Sequence, residues 1–160
     1  MLSYGAQAQR YFGSNVGSLA DAGYEQTEFT PIPETVEKAK VNGSVTGAAY
    51  YGATLLFRSN VAVRFYFTGD VSGLKFTVNG QEQKAIAKGD MSYVEIDGIV
   101  PQNLDHQITL TVTDPQGGTV TITYGPMNYM VNMSAAGSAG LQELLLKMYN
   151  YHLAAKNYKL

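Results

Sequence analysis

The sequence predicts a mainly β protein: an antiparallel β-sandwich of about seven strands, with N-terminal and C-terminal helices packed together. Three observations predict this fold class. Apolar residues alternate with threonine in Ile108–Thr113 and in Thr119–Tyr124, which is the pattern of strands with one buried face. Turn-forming pairs such as Asn79-Gly80 separate the β-rich segments. Apolar residues at helical spacing occur before and after these segments.

The composition indicates one folded module over residues 1–160 and narrows the classes of partner. Hydrophobic residues make up 45% of the 160 residues, enough to form a core, and the formal net charge is −2. Because no basic cluster is present, we expect no nucleic-acid partner. No apolar run approaches the roughly 18 residues of a membrane helix, so we expect no membrane insertion. Cysteine is absent, which excludes disulfides and thiolate metal sites.

Residues 1–13 are predicted to form the N-terminal helix, because Met1, Tyr4, Ala8 and Tyr11 are spaced three and four residues apart. Residues 14–40 are predicted to be a connector. No signal peptide precedes the helix, and Met1 already lies within it. We therefore expect the chain to be a fragment of a longer protein.

Residues 41–124 are predicted to form the sandwich. Val61, Val63, Phe65 and Phe67 fall on one face of a strand, which should be the core face. Gly52 is expected to mark a bulge or a strand break. Short strands cut by frequent turns favour a sandwich of the immunoglobulin or fibronectin kind. The seven predicted strands are Ser44–Tyr51, Ala53–Arg58, Val61–Thr68, Leu74–Val78, Met91–Ile96, Ile108–Thr113 and Thr119–Tyr124.

Residues 125–160 are predicted to be the helical C-terminal segment. Pro126 opens a short helix, and Ser138 caps a final helix with leucines at helical spacing. Both terminal helices contain a Tyr-xxx-Ala-xx-Tyr pattern, in which the small alanine would let another helix approach closely. They could pair within one chain, between chains or in a tandem array, and coincidence is the alternative. The helix-packing residues predicted in this way are Tyr4, Ala8, Tyr11, Tyr151, Ala155 and Tyr158.

Three segments of the chain resemble a known kind of module, and one of them is Tyr151 to Tyr158, which resembles the Tyr-xx-Ala-Ala-xx-Tyr helix that closes it. Residues 2–13, LSYGAQAQRYFG, resemble a Tyr-Gly-Ala-x-Ala-Gln-x-Tyr-Phe segment of large surface proteins and secreted multimodular enzymes of gut anaerobic Gram-positive bacteria. Residues 123–130, TYGPMNYM, resemble the β-to-helix junction of the same modules, with Gly125 where a serine is usual. The resemblance implies an extracellular or cell-surface accessory module and no defined activity.

The sequence carries no recognisable catalytic or metal-binding motif. His106 follows an aspartate in a loop, and His152 lies on a helix face where packing is the favoured interpretation. Glu95 and Asp97 would share one strand face and, with Asp90, could form a calcium site or a carboxylate pair. A solvated sheet edge is the favoured interpretation of these acids. We therefore expect no catalytic residues, no metal, no cofactor and no enzymatic activity.

Tyrosine is unusually frequent, with 12 residues beside 6 phenylalanines and no tryptophan. Tyr50, Tyr51, Tyr66 and Tyr93 lie in predicted strands and are the candidate ligand-binding residues. An exposed tyrosine ring can stack on a sugar while its hydroxyl forms hydrogen bonds. Since Tyr50 and Tyr51 are neighbours, one should face the core and the other solvent. The alternative is that most tyrosines are core or interface residues.

Two functions are favoured by these observations, and a third, an enzyme, would require a deep pocket with converging carboxylates. The first is a non-catalytic structural or interaction module of a bacterial surface or secreted protein, whose partners are neighbouring domains or another surface protein. The alternative is a carbohydrate-binding accessory module that contacts a polysaccharide through exposed tyrosines. A contiguous exposed aromatic patch on one sheet face would favour the alternative. Fully packed tyrosines and apolar helix faces would favour the structural role.

Overall fold

The computed structural model describes residues 29–57 and 60–157. These residues divide into two compact units. The β unit comprises residues 37–57, 60–100 and 105–128, and the helical unit comprises residues 29–36, 101–104 and 129–157.

The strands of the β unit form two antiparallel sheets. In chain order the strands among the described residues are β1 (Lys40–Gly43), β2 (Ala48–Phe57), β3 (Val61–Gly69), β4 (Lys75–Val78), β5 (Gln81–Gln83), β6 (Ala85–Lys88), β7 (Met91–Ile99), β8 (Ile108–Thr113) and β9 (Thr119–Tyr124). A five-stranded sheet has the order β1-β9-β8-β4-β5, and a four-stranded sheet has the order β2-β3-β7-β6. The predicted mainly β class with antiparallel sheets is confirmed.

Aromatic side chains join the two sheets. Phe67 of β3 packs edge-on against Phe76 of β4, with ring centroids 5.3 Å apart. Phe65 packs in the same manner against Tyr124 of β9 at 6.2 Å. Phe65 and Phe67 are fully buried, and each such burial contributes about 1.5–3 kcal/mol. The core therefore lies between the sheets in a sandwich-like arrangement, and β3 faces it with the residues that the sequence indicated.

Strand β2 is a single strand where the sequence predicted two. The predicted strands Ser44–Tyr51 and Ala53–Arg58 merge because Gly52 forms a bulge, at which the pairing of β2 with β3 shifts register. This bulge was one of the two alternatives predicted for Gly52. A bulge adds one residue to one strand without ending the ladder, so the strand continues through it.

Three short strands, β1, β5 and β6, were not predicted. Their residues are mostly exposed and show no alternation of apolar and polar side chains. Strand β5 exists because the Asn79-Gly80 turn, with φ angles of 52° and 77°, folds the chain back onto β4. Both positions need a positive φ, which asparagine and glycine adopt most easily. The predicted hairpin turn at this position is therefore confirmed.

Asp114 ties the β8–β9 hairpin to the segment that precedes β2. Its buried carboxylate accepts hydrogen bonds from the backbone N–H groups of Thr46 at 2.9 Å, Gln116 at 2.9 Å and Gly118 at 2.8 Å. The bond from Thr46 comes first among the causes that lower the pKa of Asp114, because these bonds favour the charged form.

The helices are α1 (Pro126–Ala136) and α2 (Ala139–Asn157), with a 3-10 helix at Pro101–Asn103. Ser138 caps α2, since its hydroxyl accepts the N–H of Leu141 at 3.3 Å. Leu144, Leu145 and Met148 of α2 are buried, which confirms the predicted final helix and its apolar spacing.

Two buried polar side chains of α2 bind backbone groups within the helical unit. The Asn150 amide accepts the N–H of Thr30 and donates to the carbonyl of Thr30, both at 2.8 Å. His152 is 2% exposed, and its Nδ1 donates to the carbonyl of Pro101 at 2.6 Å. His152 is thus a packed histidine, the favoured interpretation from the sequence.

Candidate ligand-binding face

Two consecutive tyrosines of β2, next to the bulge, point in opposite directions, as neighbouring residues of a strand do. Tyr50 turns towards the core, where its ring centroid lies 6.5 Å from that of Phe65 and 5.7 Å from that of Phe67. Burial raises the pKa of Tyr50 to about 12, because the ionised phenol is poorly solvated there. Tyr51 is 68% exposed. Of the two neighbours, Tyr51 is therefore the more accessible to a ligand, and Tyr50 is half-buried.

The pairing of the strands aligns exposed Tyr51 with the half-buried Tyr66 and Tyr93 across the outer face of the four-stranded sheet. Tyr66 of β3 lies opposite Tyr93 of β7, with ring centroids 5.8 Å apart. The bulge that carries Tyr51 lies on the other side of Tyr66, since Gly52 pairs with Tyr66. We call Tyr51, Tyr66 and Tyr93 the tyrosine row. It is continued by Ile86 of β6, which pairs with Tyr93 and is 50% exposed.

An ion pair lies beside the tyrosine row on the same face of the sheet, two residues away along β3 and β7. Arg64 and Glu95 pair across β3 and β7, with the Nε of Arg64 2.7 Å from the Oε2 of Glu95. Their side chains are only 14% and 16% exposed. The Arg64 guanidinium carbon also lies 4.1 Å from the centroid of the Tyr93 ring, a cation–π contact. The pair thus fixes one face of Tyr93.

Arg64 also interacts with the Tyr66 hydroxyl. Burial alone would disfavour the charged form of Arg64, but the hydrogen bond that Arg64 donates to Glu95 and its interaction with Tyr66 outweigh this effect and raise the pKa of Arg64. Burial likewise acts to raise the pKa of Tyr66, but the interaction with Arg64 and the charge of Lys88 outweigh it and lower that pKa. Two tyrosines of the row therefore have their orientation set by Arg64.

A shallow concavity of about 270 Å³ lies beside the bulge. Gly52 leaves this space open, because a Cβ atom at Gly52 would meet no atom within 4 Å. The lining is almost entirely apolar, formed by aromatic rings, a thioether and methyl groups, and suits the apolar face of a small ligand. The lining residues are Tyr51, Gly52, Ala53, Thr54, Tyr66 and Met91.

The histidine and acidic residues considered from the sequence lie in separate surroundings. His106 is exposed, with its Nε2 3.7 Å from the Oδ1 of Asp105. Glu95 pairs with Arg64, and Asp97 accepts the N–H of Gly98 at 2.7 Å. In the described ranges, no cluster of three or more histidine, aspartate or glutamate side chains is placed to hold a metal ion.

The predicted helix-packing residues are only partly within the described chain. Tyr151 and Ala155 lie on α2 and are half-buried. Tyr4, Ala8, Tyr11 and Tyr158 lie outside the described residues, as does the whole predicted helix of residues 1–13. The pairing of the terminal helices therefore stays a prediction. None of the helices in the described part of the chain is both long and apolar enough to cross a bilayer.

The sequence indicated the tyrosines, but it did not indicate that Arg64 and Glu95 form an ion pair beside them. Arg64 and Glu95 lie 31 residues apart, and Met91 lies 40 residues after Tyr51 in the chain. Strand pairing brings these residues together, and no local pattern in the sequence reveals that pairing. The positions of Arg64 and Tyr66 on the outward side of β3, alternating with buried phenylalanines, were the one available signal.

No family model matches the chain, and neither a curated protein nor a solved structure matches it.

Proposed function

We propose that the chain is a non-catalytic carbohydrate-binding module that holds a glycan on the outer face of its four-stranded sheet. One observation carries the proposal: Tyr66 and Tyr93 pair across neighbouring strands, Tyr51 lies in the bulge beside them, and the row borders an open concavity. The row is exposed at Tyr51 and half-buried at Tyr66 and Tyr93, so its rings form an aromatic strip that reaches the surface and supports a binding face. The proposal reverses the order of the two functions expected from the sequence.

The chemistry of the row suits a sugar. A sugar ring has an apolar face of C–H groups and a rim of hydroxyls, so it can stack on a tyrosine and hydrogen-bond to polar neighbours. Thr54 beside the concavity can donate and accept such bonds. Strands lie about 4.8 Å apart, so four positions from the bulge to Ile86 extend roughly 14 Å. That length accommodates a short stretch of a polysaccharide.

The structural or interaction role is the second candidate, and one observation favours it. Tyr51 and Ile86 are large, exposed and at the two ends of one row, and tyrosine is also enriched in protein–protein interfaces. A neighbouring domain or another surface protein would be the partner in that case.

Two further proposals concern the parent protein and the type of sandwich. We propose that it belongs to a surface or secreted protein of a gut bacterium, on the resemblance of residues 2–13 and 123–130 to such modules. We further propose a sandwich of the immunoglobulin or fibronectin kind. Its support is that every strand pairing described is antiparallel and that the chain repeatedly passes from one sheet to the other.

Affinity electrophoresis in gels that contain soluble polysaccharides tests the carbohydrate proposal. We expect retardation by at least one glycan. Tyr66→Ala should weaken binding at least about tenfold, as for central interface residues. Tyr66→Phe keeps the ring and should cost about two- to tenfold through the lost hydroxyl contacts. Thr121→Ala, on the five-stranded sheet, is the control and should bind normally.

The unfolding midpoint of each variant should be measured first. A midpoint that is unchanged or only slightly shifted shows that the variant is folded, so that a loss of binding reflects the binding face. Retardation by no glycan in a broad panel would contradict the carbohydrate proposal and leave the interaction role. Retardation that Tyr66→Ala leaves intact would show that a glycan binds elsewhere on the protein.

A further inference from the structure

We infer that the tyrosine row selects a single, neutral and twisted glycan chain, and does not bind the flat surface of a crystalline polysaccharide. The inference rests on the proposed carbohydrate function and specifies its ligand class. Three features of the face carry it: the tilt between the rings, the recess beside the bulge, and the pairing of the nearby charges.

The rings of the row do not lie in one plane. Tyr66 and Tyr93 are adjacent, yet their ring planes differ by 51°. Twisted sheets rotate each strand by about 20–25° relative to its neighbour, so side chains on successive strands rotate as well. A flat ligand could stack on one of these rings but would stand away from the other. A chain whose successive sugar rings rotate about its axis can face both rings.

The recess beside Gly52 also favours a single chain. Its volume of about 270 Å³ is just below the roughly 300 Å³ at which typical small-molecule sites begin. This volume accommodates part of one chain, such as a sugar unit that dips below the level of the Tyr51 ring. A rigid crystalline surface cannot enter a recess, so it would lose contact with Met91 and Thr54, which line the space.

The charged side chain that contacts the row most closely, Arg64, is paired with an acid. Arg64 contacts Glu95 at 2.7 Å, and its guanidinium lies over Tyr93. Lys88 and Asp90 flank Gly89 in the turn between β6 and β7. The charge of Arg64 is therefore compensated by Glu95, and an acidic sugar that contacts this part of the row would gain little attraction while repelling Glu95. The ligand class that fits is a neutral glycan, whose binding should depend little on salt.

The test compares soluble and crystalline polymers with the intact chain. Affinity gels would contain mixed-linkage β-glucan, galactomannan, arabinoxylan or, as the acidic probe, polygalacturonate. Sedimentation would use crystalline cellulose and crystalline chitin. We expect retention by at least one neutral soluble glycan, a change in Kd below about twofold between about 0.05 and 0.5 M NaCl, and no retention on the crystalline polymers.

The outcomes separate this inference from the proposed function. Retention on a crystalline polymer that Tyr66→Ala abolishes would overturn the inference and leave the carbohydrate function intact. Binding of polygalacturonate that requires Tyr66 and weakens about tenfold or more in high salt would also overturn the inference and leave the carbohydrate function intact. Binding of neither soluble nor crystalline glycans would overturn both.

Discussion

Gly52→Val should block the binding face while leaving the fold as stable as before or more so. The usual reasons for keeping a glycine do not apply at Gly52. Its φ is not among the positive values of the described glycines, and a Cβ there would meet no atom within 4 Å. Glycine within a strand costs about 0.5–1 kcal/mol relative to alanine, and valine suits a strand better still.

The expected gain in unfolding free energy is therefore about 0.5–1 kcal/mol. For a chain of this length, 1 kcal/mol corresponds to roughly 2–4 °C in the melting temperature, so we expect a rise of about 1–4 °C. The valine side chain would occupy the concavity that Tyr51 and Tyr66 border. Glycan binding should therefore weaken at least about tenfold, although no tyrosine has changed.

Gly43→Val is the matched control, since Gly43 is also a strand glycine. Gly43 has a φ of 91°, and a Cβ there would meet the backbone carbonyl oxygen of Thr119. This variant should lower the melting temperature because both the φ angle and the contact are unfavourable. Thermal and denaturant unfolding would be measured for both variants. If Gly52→Val lowered stability as much as Gly43→Val, the space described beside Gly52 would not exist in solution.

Two further predictions concern the polar contacts of the β unit. Glu95→Gln keeps the shape of the side chain but leaves the largely buried Arg64 without its carboxylate, so the unfolding free energy should fall by about 1–3 kcal/mol in urea titrations; an unchanged midpoint would argue against the pair. Asp114→Asn should remove an acid-sensitive contribution to stability. The pKa of Asp114 is lowered from 3.8, so its carboxylate stabilises the fold above pH 3.8, and this contribution is lost as the pH falls through the lower folded value. The stability difference between the two proteins should thus shrink below pH 3.8, and a difference independent of pH would contradict this assignment.

The parts of the fold that the sequence predicted are those whose burial repeats every second residue. Strands β3, β8 and β9 alternate buried and less buried residues, and their predicted bounds agree with the structure to within one residue. Strand β5 contains only Gln81–Gln83 and buries none of them. It is a strand because a turn places it beside β4, and such pairing is a tertiary effect that local propensity does not contain.

The binding face was likewise predictable from the sequence only in part. The tyrosines could be selected from the sequence because they are aromatic, frequent and located in β-rich runs. The sequence also predicted that one of Tyr50 and Tyr51 would face inwards. It could not show that the inward one is Tyr50, because the register across the bulge decides this, nor that Arg64 would contact both Glu95 and Tyr93.

The core and the binding face depend on the same register. Along β3, Phe65 and Phe67 face the core, while Arg64 and Tyr66 face outwards. A slip of one residue would exchange the two sets and place an arginine between the sheets. Burial of the phenylalanines therefore fixes the outward position of Tyr66 as firmly as it fixes the core. In β2 the bulge adds one residue against β3, so Tyr50 can pack on the phenylalanines while Tyr51 borders the recess. Core packing thus builds the face on which we propose the glycan binds.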